Sequence, residues 1–444
     1  MRCNQIIVCR LFGYGNIQKH MKRFFSIVLA LPMIVAVVFG VAGCIFVNPE
    51  YEYEYEPQSG YQLQMILQYV SIHNSSTLEE LERDLGASID DMLGEMDLSF
   101  LEEYLARLTD EQRQLFENQS FVATVRRILG GDNSIDYQSF SAYVVSLIFG
   151  RVTFYIPMIV TIIAVVLAMS VLKSIKGNFA SKSVEDIAHF AAMSLVIILV
   201  TTHVVLLIGQ TVNMITNIRD QMNVVFPILL TMMTMIGATS SVAVYQPTVV
   251  LLAGWIVNLV TVVIIPTFIF SFVFAAVGNI SKHNRLSKLS EFFSAISKWM
   301  LGIVFFLFLA FLSLQGVTAA VYDGISIRTA RFAISRYVPI IGGYLSEGFN
   351  LMIAGGVLIK NAVGMGAIVL LIVSILPVVI NIIVFSLSLR LTAALCEPLG
   401  NERIAKYLTL VSKHMTVLLA ILLGVAFLYF IFVMLIIFSG NMMF

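Results

Sequence analysis

The sequence predicts an all-α fold: a polytopic helical membrane protein with two parallel repeats containing re-entrant segments, preceded by a small N-terminal all-helical extracytoplasmic domain. The first observation is composition. Of the 444 residues, 59% are hydrophobic and 12% are charged, whereas soluble domains average about 45–50% and about 25%. The second is a set of apolar stretches long enough to cross a bilayer. They lie near residues 152–172, 188–209, 248–277, 300–320, 364–389 and 415–438.

The third observation is that charge is segregated along the chain, although the formal net charge is zero. Residues 45–150 contain five basic and 19 acidic residues, a net charge of −14. Residues 151–444 contain 17 basic and eight acidic residues, a net charge of +9. The sequence therefore predicts an acidic soluble domain followed by a basic membrane domain that begins near residue 151.

Residues 1–44 are predicted to be a leader with a signal peptide. Met21, the expected start, is followed by two basic residues and by the apolar residues 24–39, which is the pattern of a secretory signal. Residues 41–44 (VAGC) resemble a bacterial lipobox, so Cys44 is a candidate lipidation site. The alternatives are ordinary cleavage near Gly43 and an uncleaved anchor.

Residues 45–60 form an acidic Tyr/Glu linker, because the repeated glutamates repel one another and Pro57 stops a helix. Residues 61–150 are predicted to form the acidic helical domain. Ser76 and Glu79 match a capping box, and apolar residues recur at helical spacing beyond it. A cleaved signal peptide would leave this domain outside the cytoplasm.

Two shorter apolar segments, near residues 223–244 and 338–360, are predicted to be re-entrant. Each has a proline near its start and is interrupted by polar or glycine-rich sequence. Cytoplasmic loops are enriched in lysine and arginine. The three basic clusters of the membrane domain all lie on the cytoplasmic side only if each short segment enters and leaves the membrane by the same face. Irregular backbone at membrane depth is tolerated where it is buried or lines a water-filled cavity, so these segments are the predicted core.

An internal repeat supports this topology, because four landmarks recur in one order. Pro227, Pro266, Arg285 and Met300 are followed by Pro339, Pro377, Arg403 and Met415, at offsets of 112, 111, 118 and 115 residues. Each copy would contain two full crossings and one re-entrant segment.

Two groups of candidate functional residues follow. The candidate path or core residues are Pro227, Gly237, Ser240, Ser241, Pro339, Glu347, Lys360 and Asn361. The basic residues expected on amphipathic helices at the lipid interface are Arg285, Lys288, Lys298, Arg403, Lys406 and Lys413.

The role of Lys360 is left open between three alternatives. Its side chain pairs with Glu347, lines a polar path, or extends to the interface as lysines near helix ends do. Arg390 is expected to extend to the interface, and Asn258 and Asn381 are expected to form hydrogen bonds across helices.

No catalytic site is predicted. The sequence contains no phosphate-binding glycine loop, no HExxH motif and no nucleophile motif. Cys3, Cys9, Cys44 and Cys396 lack metal-ligand spacing, and His189 and His203 are expected to be packed polar residues. We therefore expect a protein that is not an enzyme and has no cofactor or metal.

Several short stretches resemble the stage III sporulation protein AE family of endospore-forming bacteria. They are residues 226–231 (FPILLT), 246–250 (QPTVV), 327–330 (IRTA), 357–364 (VLIKNAVG), 397–404 (EPLGNERI) and 439–441 (SGN). The resemblance covers about residues 60–444. Residues 1–20, the Tyr/Glu run and the lipobox depart from the family pattern, and the lipobox leaves the N-terminal anchoring open.

The resemblance implies a non-enzymatic membrane subunit of the channel complex that links mother cell and forespore. It implies a location in the mother-cell membrane around the forespore, with the N-terminal domain in the intermembrane space. The implied partners are other membrane proteins of the same sporulation operon, a forespore-derived protein of the intermembrane space, and membrane lipid, with no nucleic acid. The alternative function is a self-contained permease for a small solute.

Overall fold

The fold is entirely helical in the part of the chain that the structure describes. The structure is a computed structural model that describes residues 137–174, 182–280, 286–337 and 342–441, together with Ala106, Gln112, Arg113 and Ala123. The helices are α1 (Tyr137–Ser174), α2 (Lys182–Met235), α3 (Thr239–Val249), α4 (Val257–Leu259), α5 (Ile265–Ile280), α6 (Ser287–Tyr337), α7 (Gly342–Cys396) and α8 (Glu402–Asn441). Two π-helical stretches, Val250–Ile256 and Val260–Ile264, join α3, α4 and α5 into one rod.

Six of these helical rods are long and apolar enough to cross a membrane. They comprise Phe140–Leu172, Ile187–Met235, Thr239–Asn279, Ser287–Leu312, Met352–Cys396 and Glu402–Ser439. The predicted polytopic helical architecture with six spans is confirmed. Several rods exceed the length that a bilayer requires: the 54 residues of α2 extend about 80 Å at 1.5 Å per residue, against a hydrocarbon core of about 30 Å.

Helices α7 and α8 form the centre of the membrane domain. In an apolar stretch of 18 residues in each of these helices, 61% of the stretch is buried, compared with 28% in the first rod and 17% in α6. Helices α1 and α2 pack against α7, while α5 and α6 pack against each other and against α8. The outer helices therefore expose apolar surface, as membrane helices do, and the central pair carries the core.

Prolines lie inside the long helices without ending them. Pro157, Pro227 and Pro377 are interior to α1, α2 and α7. A proline lacks the N–H that would bond to the carbonyl four residues earlier, and for Pro377 that carbonyl belongs to Val373. The amide Nε2 of Gln112 donates a hydrogen bond to this carbonyl at 3.0 Å, so a residue of the predicted N-terminal domain packs on α7.

Two glycines end helices in the left-handed conformation. Gly237 has φ of 85° between α2 and α3, and Gly400 has φ of 76° between α7 and α8. Glycine adopts positive φ without the strain that a Cβ causes. These turns let each pair of long helices reverse direction within a few residues.

The two short segments are not interrupted in the way the sequence indicates. In the first, residues 223–235 are the end of α2 and residues 239–244 are the start of α3, so the only break is the turn at Ile236–Ala238. In the second, residues 342–360 are the first part of α7 and contain both glycine pairs within the helix. The physical reason is that glycine in an apolar bundle permits close packing: Gly356 lies against the Ile236 side chain.

Several expectations lie outside the described residues. These are the leader with Met21 and Cys44, the linker at residues 45–60, nearly all of residues 61–136, Arg285 and Pro339. Helix α1 crosses the boundary that the sequence predicts at residue 150. The internal repeat and the re-entrant topology stay predictions.

Candidate functional site

A buried carboxylate binds the start of α3. Asp323, on α6, is completely buried, and its two oxygens accept hydrogen bonds from the backbone N–H groups of Ser240 and Ser241, each at 2.8 Å. The first N–H groups of a helix have no partner within the helix, and the positive end of the helix dipole favours an anion there. The turn at Gly237 presents these N–H groups to Asp323.

A buried lysine binds near the end of α8. Lys360, on α7, is completely buried, and its Nζ donates hydrogen bonds to the carbonyl oxygens of Ile436 at 3.0 Å and Ile437 at 2.8 Å. The carboxyl end of a helix carries partial negative charge, which favours a cation. Of the three alternatives, extension to the interface is wrong for Lys360, because its amine is turned into the protein.

These two contacts belong to one polar cluster at the α2–α3 turn. We define the buried polar cluster as Ser240, Ser241, Asp323, Lys360 and Ser439. The Ser439 hydroxyl, at the end of α8, donates to the Ser241 hydroxyl at 3.4 Å. The cluster therefore joins α3, α6, α7 and α8, with the Asp323 carboxylate at the start of α3 and the Lys360 amine near the end of α8.

The structure brings together four of the eight predicted path or core residues. Gly237, Ser240, Ser241 and Lys360 all lie at or beside the buried polar cluster. Pro227 lies instead on the exposed face of α2, and Asn361 is half-buried beside Lys360. The backbone of Glu347 lies in α7, and Pro339 is outside the described residues.

Asp323 is the residue that sequence reasoning missed. It is the single acidic residue between Glu291 and Glu347 and lies among apolar and small residues. A charge that is costly to bury usually has a function or a specific partner. The isolation of Asp323 among apolar residues is therefore the sequence signal that could have identified it. Its partner N–H groups lie more than eighty residues earlier and carry no sequence signature.

A second polar site lies at the opposite end of the bundle. The hydroxyls of Ser271 on α5 and Ser290 on α6 each donate to the other residue's backbone carbonyl at 2.8 Å. His414 on α8 places its Nε2 3.0 Å from the Ser271 hydroxyl, and its Nδ1 lies 2.9 Å from the carbonyl of Leu410. The three side chains hold the α5–α6 hairpin against α8.

A third site joins the outer helices to α7. The Tyr155 hydroxyl donates to Oδ1 of Asn381 at 2.8 Å, and Nδ2 of Asn381 donates to Oε1 of Gln210 at 2.7 Å. The His203 ring packs near Tyr155 and Phe385. The expected cross-helix bonding is confirmed for Asn381, and His203 is a packed polar residue as predicted.

Asn258 and Arg390 complete the sequence expectations. Asn258 is exposed, and its side chain makes no hydrogen bond within the described part of the chain, so the cross-helix bond expected for it is absent there. Arg390 is exposed, and its Nε donates to the Ser412 hydroxyl at 2.8 Å. This arginine therefore lies at the surface while contacting α8.

The predicted interfacial bases lie at the end of the bundle that holds His414. Lys288 is exposed near the start of α6, and Arg403, Lys406 and Lys413 are exposed on the first turns of α8. Lys406 pairs with Glu402 at 3.0 Å, and Lys298 is half-buried. Because His414 contacts both Ser271 and Ser290, the α5–α6 and α7–α8 connections face the same side.

The contacts of these sites are hydrogen bonds between side chains and helix backbones or other side chains. Among the described residues, no group of three or more His, Cys, Asp or Glu side chains could hold a metal ion. The single described cysteine, Cys396, is buried and unbonded. The arrangement can fix helix ends and maintain polar groups inside an apolar bundle.

Comparison with known proteins identifies the family. Residues 119–440 match the family of stage III sporulation protein AE. The chain is also similar to the stage III sporulation protein AE of Bacillus subtilis (strain 168), with 24% identity over 371 residues, which cover 83% of this chain and 90% of that protein. No solved structure matches the chain. The matched region contains every described span and all three polar sites, so the chain belongs to the stage III sporulation protein AE family of multi-pass membrane proteins.

Proposed function

We propose that this chain is a non-enzymatic membrane subunit of the transport complex that connects mother cell and forespore during endospore formation. The observation that carries the proposal is the family match across the whole membrane domain. The architecture supports it, because six apolar rods enclose buried charges that are held by helix ends rather than arranged around a reacting centre.

The proposal includes location and partners. The chain lies in the mother-cell membrane around the forespore, with its N-terminal domain in the intermembrane space. It binds other membrane proteins of the same sporulation operon and a forespore-derived protein that reaches across that space. The net charge of −14 in residues 45–150 gives this domain a strong field for recognising a basic partner surface.

Deletion of the gene in its own host tests the proposal. We expect the deletion strain to grow normally and to lose heat-resistant spores, and the wild-type gene supplied in the mother cell to restore them. Normal spore counts in the deletion strain would refute the role. Restoration by expression in the forespore alone would refute the proposed location.

The second candidate function is a self-contained small-solute permease. Buried Lys360 and Asp323 favour it, because ionisable groups inside a membrane bundle are typical of transport pathways. Solute uptake by the purified chain in liposomes, without partners, would favour the permease. Uptake that requires the other operon proteins would favour the complex subunit.

A further inference from the structure

The exposed face of α2 changes from apolar to polar at Gly209. Below this point the exposed large side chains of α2 are all apolar: Ile187, Phe190, Leu195, Ile198, Val205 and Leu206. Above it the exposed positions are Gly209, Gln210, Asn213, Asn217, Asn223, Pro227, Thr231, Thr234 and finally Met235. Most of them are three or four residues apart, with one gap of six between Asn217 and Asn223, so they form one broad face of the helix. We call the positions from Gln210 to Asn223 the polar face of α2.

Cross-helix contacts place this change at a defined height in the bundle. Gln210 bonds to Asn381, and the His203 ring stacks on Phe385 at 6.1 Å. The residue after Phe385 on α7 is Ser386, whose hydroxyl lies 2.8 Å from that of Ser412 on α8. His414, two residues beyond Ser412, contacts Ser271 of α5. Gly209 on α2 and Ser271 on α5 are therefore at similar heights.

Neighbouring helices remain apolar well above that height. From Ser271 back to Val250 the third rod rises 21 residues, or roughly 30 Å at 1.5 Å per residue. Its exposed large side chains over this distance are apolar and include Phe270, Val262 and Trp255, which is 77% exposed, while Asn258 is the one exposed amide among the described residues of this stretch. The lipid-facing surface of this rod therefore reaches far above the height of Gly209.

Helix α1 shows the same relation. Tyr155 marks the height of Asn381, and the exposed large side chains above it are apolar up to Val145, with the half-buried Arg151 among them. These ten residues add about 15 Å. Helices on two sides of the bundle thus face lipid at heights where α2 exposes amides. A tilt of the bundle would change these heights. However, the third rod stays apolar for about 30 Å above the height of Gly209, which is comparable to the whole hydrocarbon thickness.

We propose that the polar face of α2 lines a water-filled groove within the membrane, which is the path for solute in the complex. Unpaired amides are costly in hydrocarbon. The side chains of Asn213, Asn217 and Asn223 make no hydrogen bond within the described residues, and water in such a groove would supply partners for them. The claim that solute passes along the groove rests on the proposed transport function, whereas the claim that the groove holds water does not.

The lining defines the class of solute. The asparagine amides both donate and accept hydrogen bonds. Among the described residues of α2 between Gln210 and Asn223, the charged ones are Arg219 and Asp220, which are adjacent and form an ion pair at 3.5 Å, with both side chains 42% exposed. The groove therefore offers neutral hydrogen-bonding groups and no net charge. It suits small hydrated solutes that carry several polar groups, without selection for either sign of charge.

Cysteine accessibility in the full-length chain, reconstituted in liposomes, tests the proposal. The variants are Asn213→Cys, Asn217→Cys and Asn223→Cys, and the probe is a charged, membrane-impermeant methanethiosulfonate reagent. The matched lipid-facing controls are Val262→Cys and Trp255→Cys, and the parent protein gives the background. Ile215→Cys, on the buried side of α2, reports that the helix is folded.

We expect the three asparagine positions to react roughly tenfold or more faster than the lipid-facing and buried controls, because thiol reaction requires water access and ionisation. Equal, fast rates at Asn217 and Val262 would overturn the proposal, since the whole height would then lie in water. Slow rates at all three asparagines would overturn it as well. The labelling pattern is independent of spore counts, so failure of the sporulation role leaves it intact.

Discussion

Removal of the Asp323 carboxylate should destabilise the bundle, because it leaves two buried N–H groups of α3 without acceptors. Both hydrogen bonds are 2.8 Å long, and Asp323 is fully buried. Hydrogen bonds to a charged group contribute about 1.5–3 kcal/mol each. Part of this is offset by relief from burying the charge, so we expect Asp323→Ala to lower the free energy of unfolding by about 3 kcal/mol.

The assay is thermal unfolding of the purified protein in detergent, followed by intrinsic fluorescence. For a chain of 444 residues, about 3 kcal/mol corresponds to a fall in Tm of roughly 3 °C. Asp323→Asn should fall between wild type and Asp323→Ala, because its amide oxygen still accepts one of the two N–H groups. The control is Glu402→Ala, which removes an exposed carboxylate that pairs with Lys406 and should leave Tm almost unchanged, because exposed ion pairs contribute little to stability.

A Tm for Asp323→Ala equal to that of the Glu402→Ala control would refute the reasoning. A double-mutant comparison isolates the cap itself. Ser240→Pro removes one donor N–H at a position in the first turn of α3, where proline is tolerated. Combined with Asp323→Ala, this change should cost less than it does alone, because the two residues share one hydrogen bond.

Three further changes have defined outcomes. Lys360→Met should leave Tm within about 2 °C of wild type, because it removes a costly buried charge while the carbonyls of Ile436 and Ile437 keep their backbone partners within α8. Lys360→Glu should abolish stable expression, because it places a carboxylate against carbonyl oxygens. Equal Tm values for the two variants would contradict this. Gly364→Ala should lower Tm by a few degrees, because the added Cβ would lie 2.7 Å from an isoleucine of α8. Gly254→Ala should leave Tm unchanged, because the space around Gly254 is open. Identical shifts in Tm for the two variants would refute the packing argument. The variants Lys288→Cys and Arg403→Cys should both react with an impermeant thiol reagent only from the cytoplasmic side. Labelling of the two positions from opposite sides would exclude the predicted re-entrant topology.

Hydropathy predicted the six spans because apolar length alone decides whether a helix can cross a bilayer. At the two short segments proline and glycine indicate breaks in the sequence pattern, whereas the structure continues α2 through Pro227 and α7 through its glycine pairs. In this bundle Pro227 and Pro377 lie inside continuous helices. The polar side chain of Gln112, distant in sequence, bonds the carbonyl that Pro377 leaves unpaired. Such compensation depends on tertiary contacts and has no local pattern.

The polar sites divide in the same way. Ser240, Ser241 and Lys360 are recognisable because polar groups in an apolar segment are costly. Their partners are backbone groups or residues far along the chain, such as Asp323. Residues 210–222 fall between two predicted segments, so their polar face becomes visible only when they are seen as the continuation of α2.

The most direct test of the central claim is purification of the tagged, full-length chain from membranes of sporulating cells at the stage after engulfment. As a subunit of the mother cell–forespore complex, it should co-purify with the other membrane proteins of its operon, in a constant ratio across independent detergents. The same tag, expressed during growth without those proteins, supplies the control. Recovery of the chain alone from sporulating cells, with solute uptake by that isolated chain in liposomes, would contradict the claim and establish a self-contained permease.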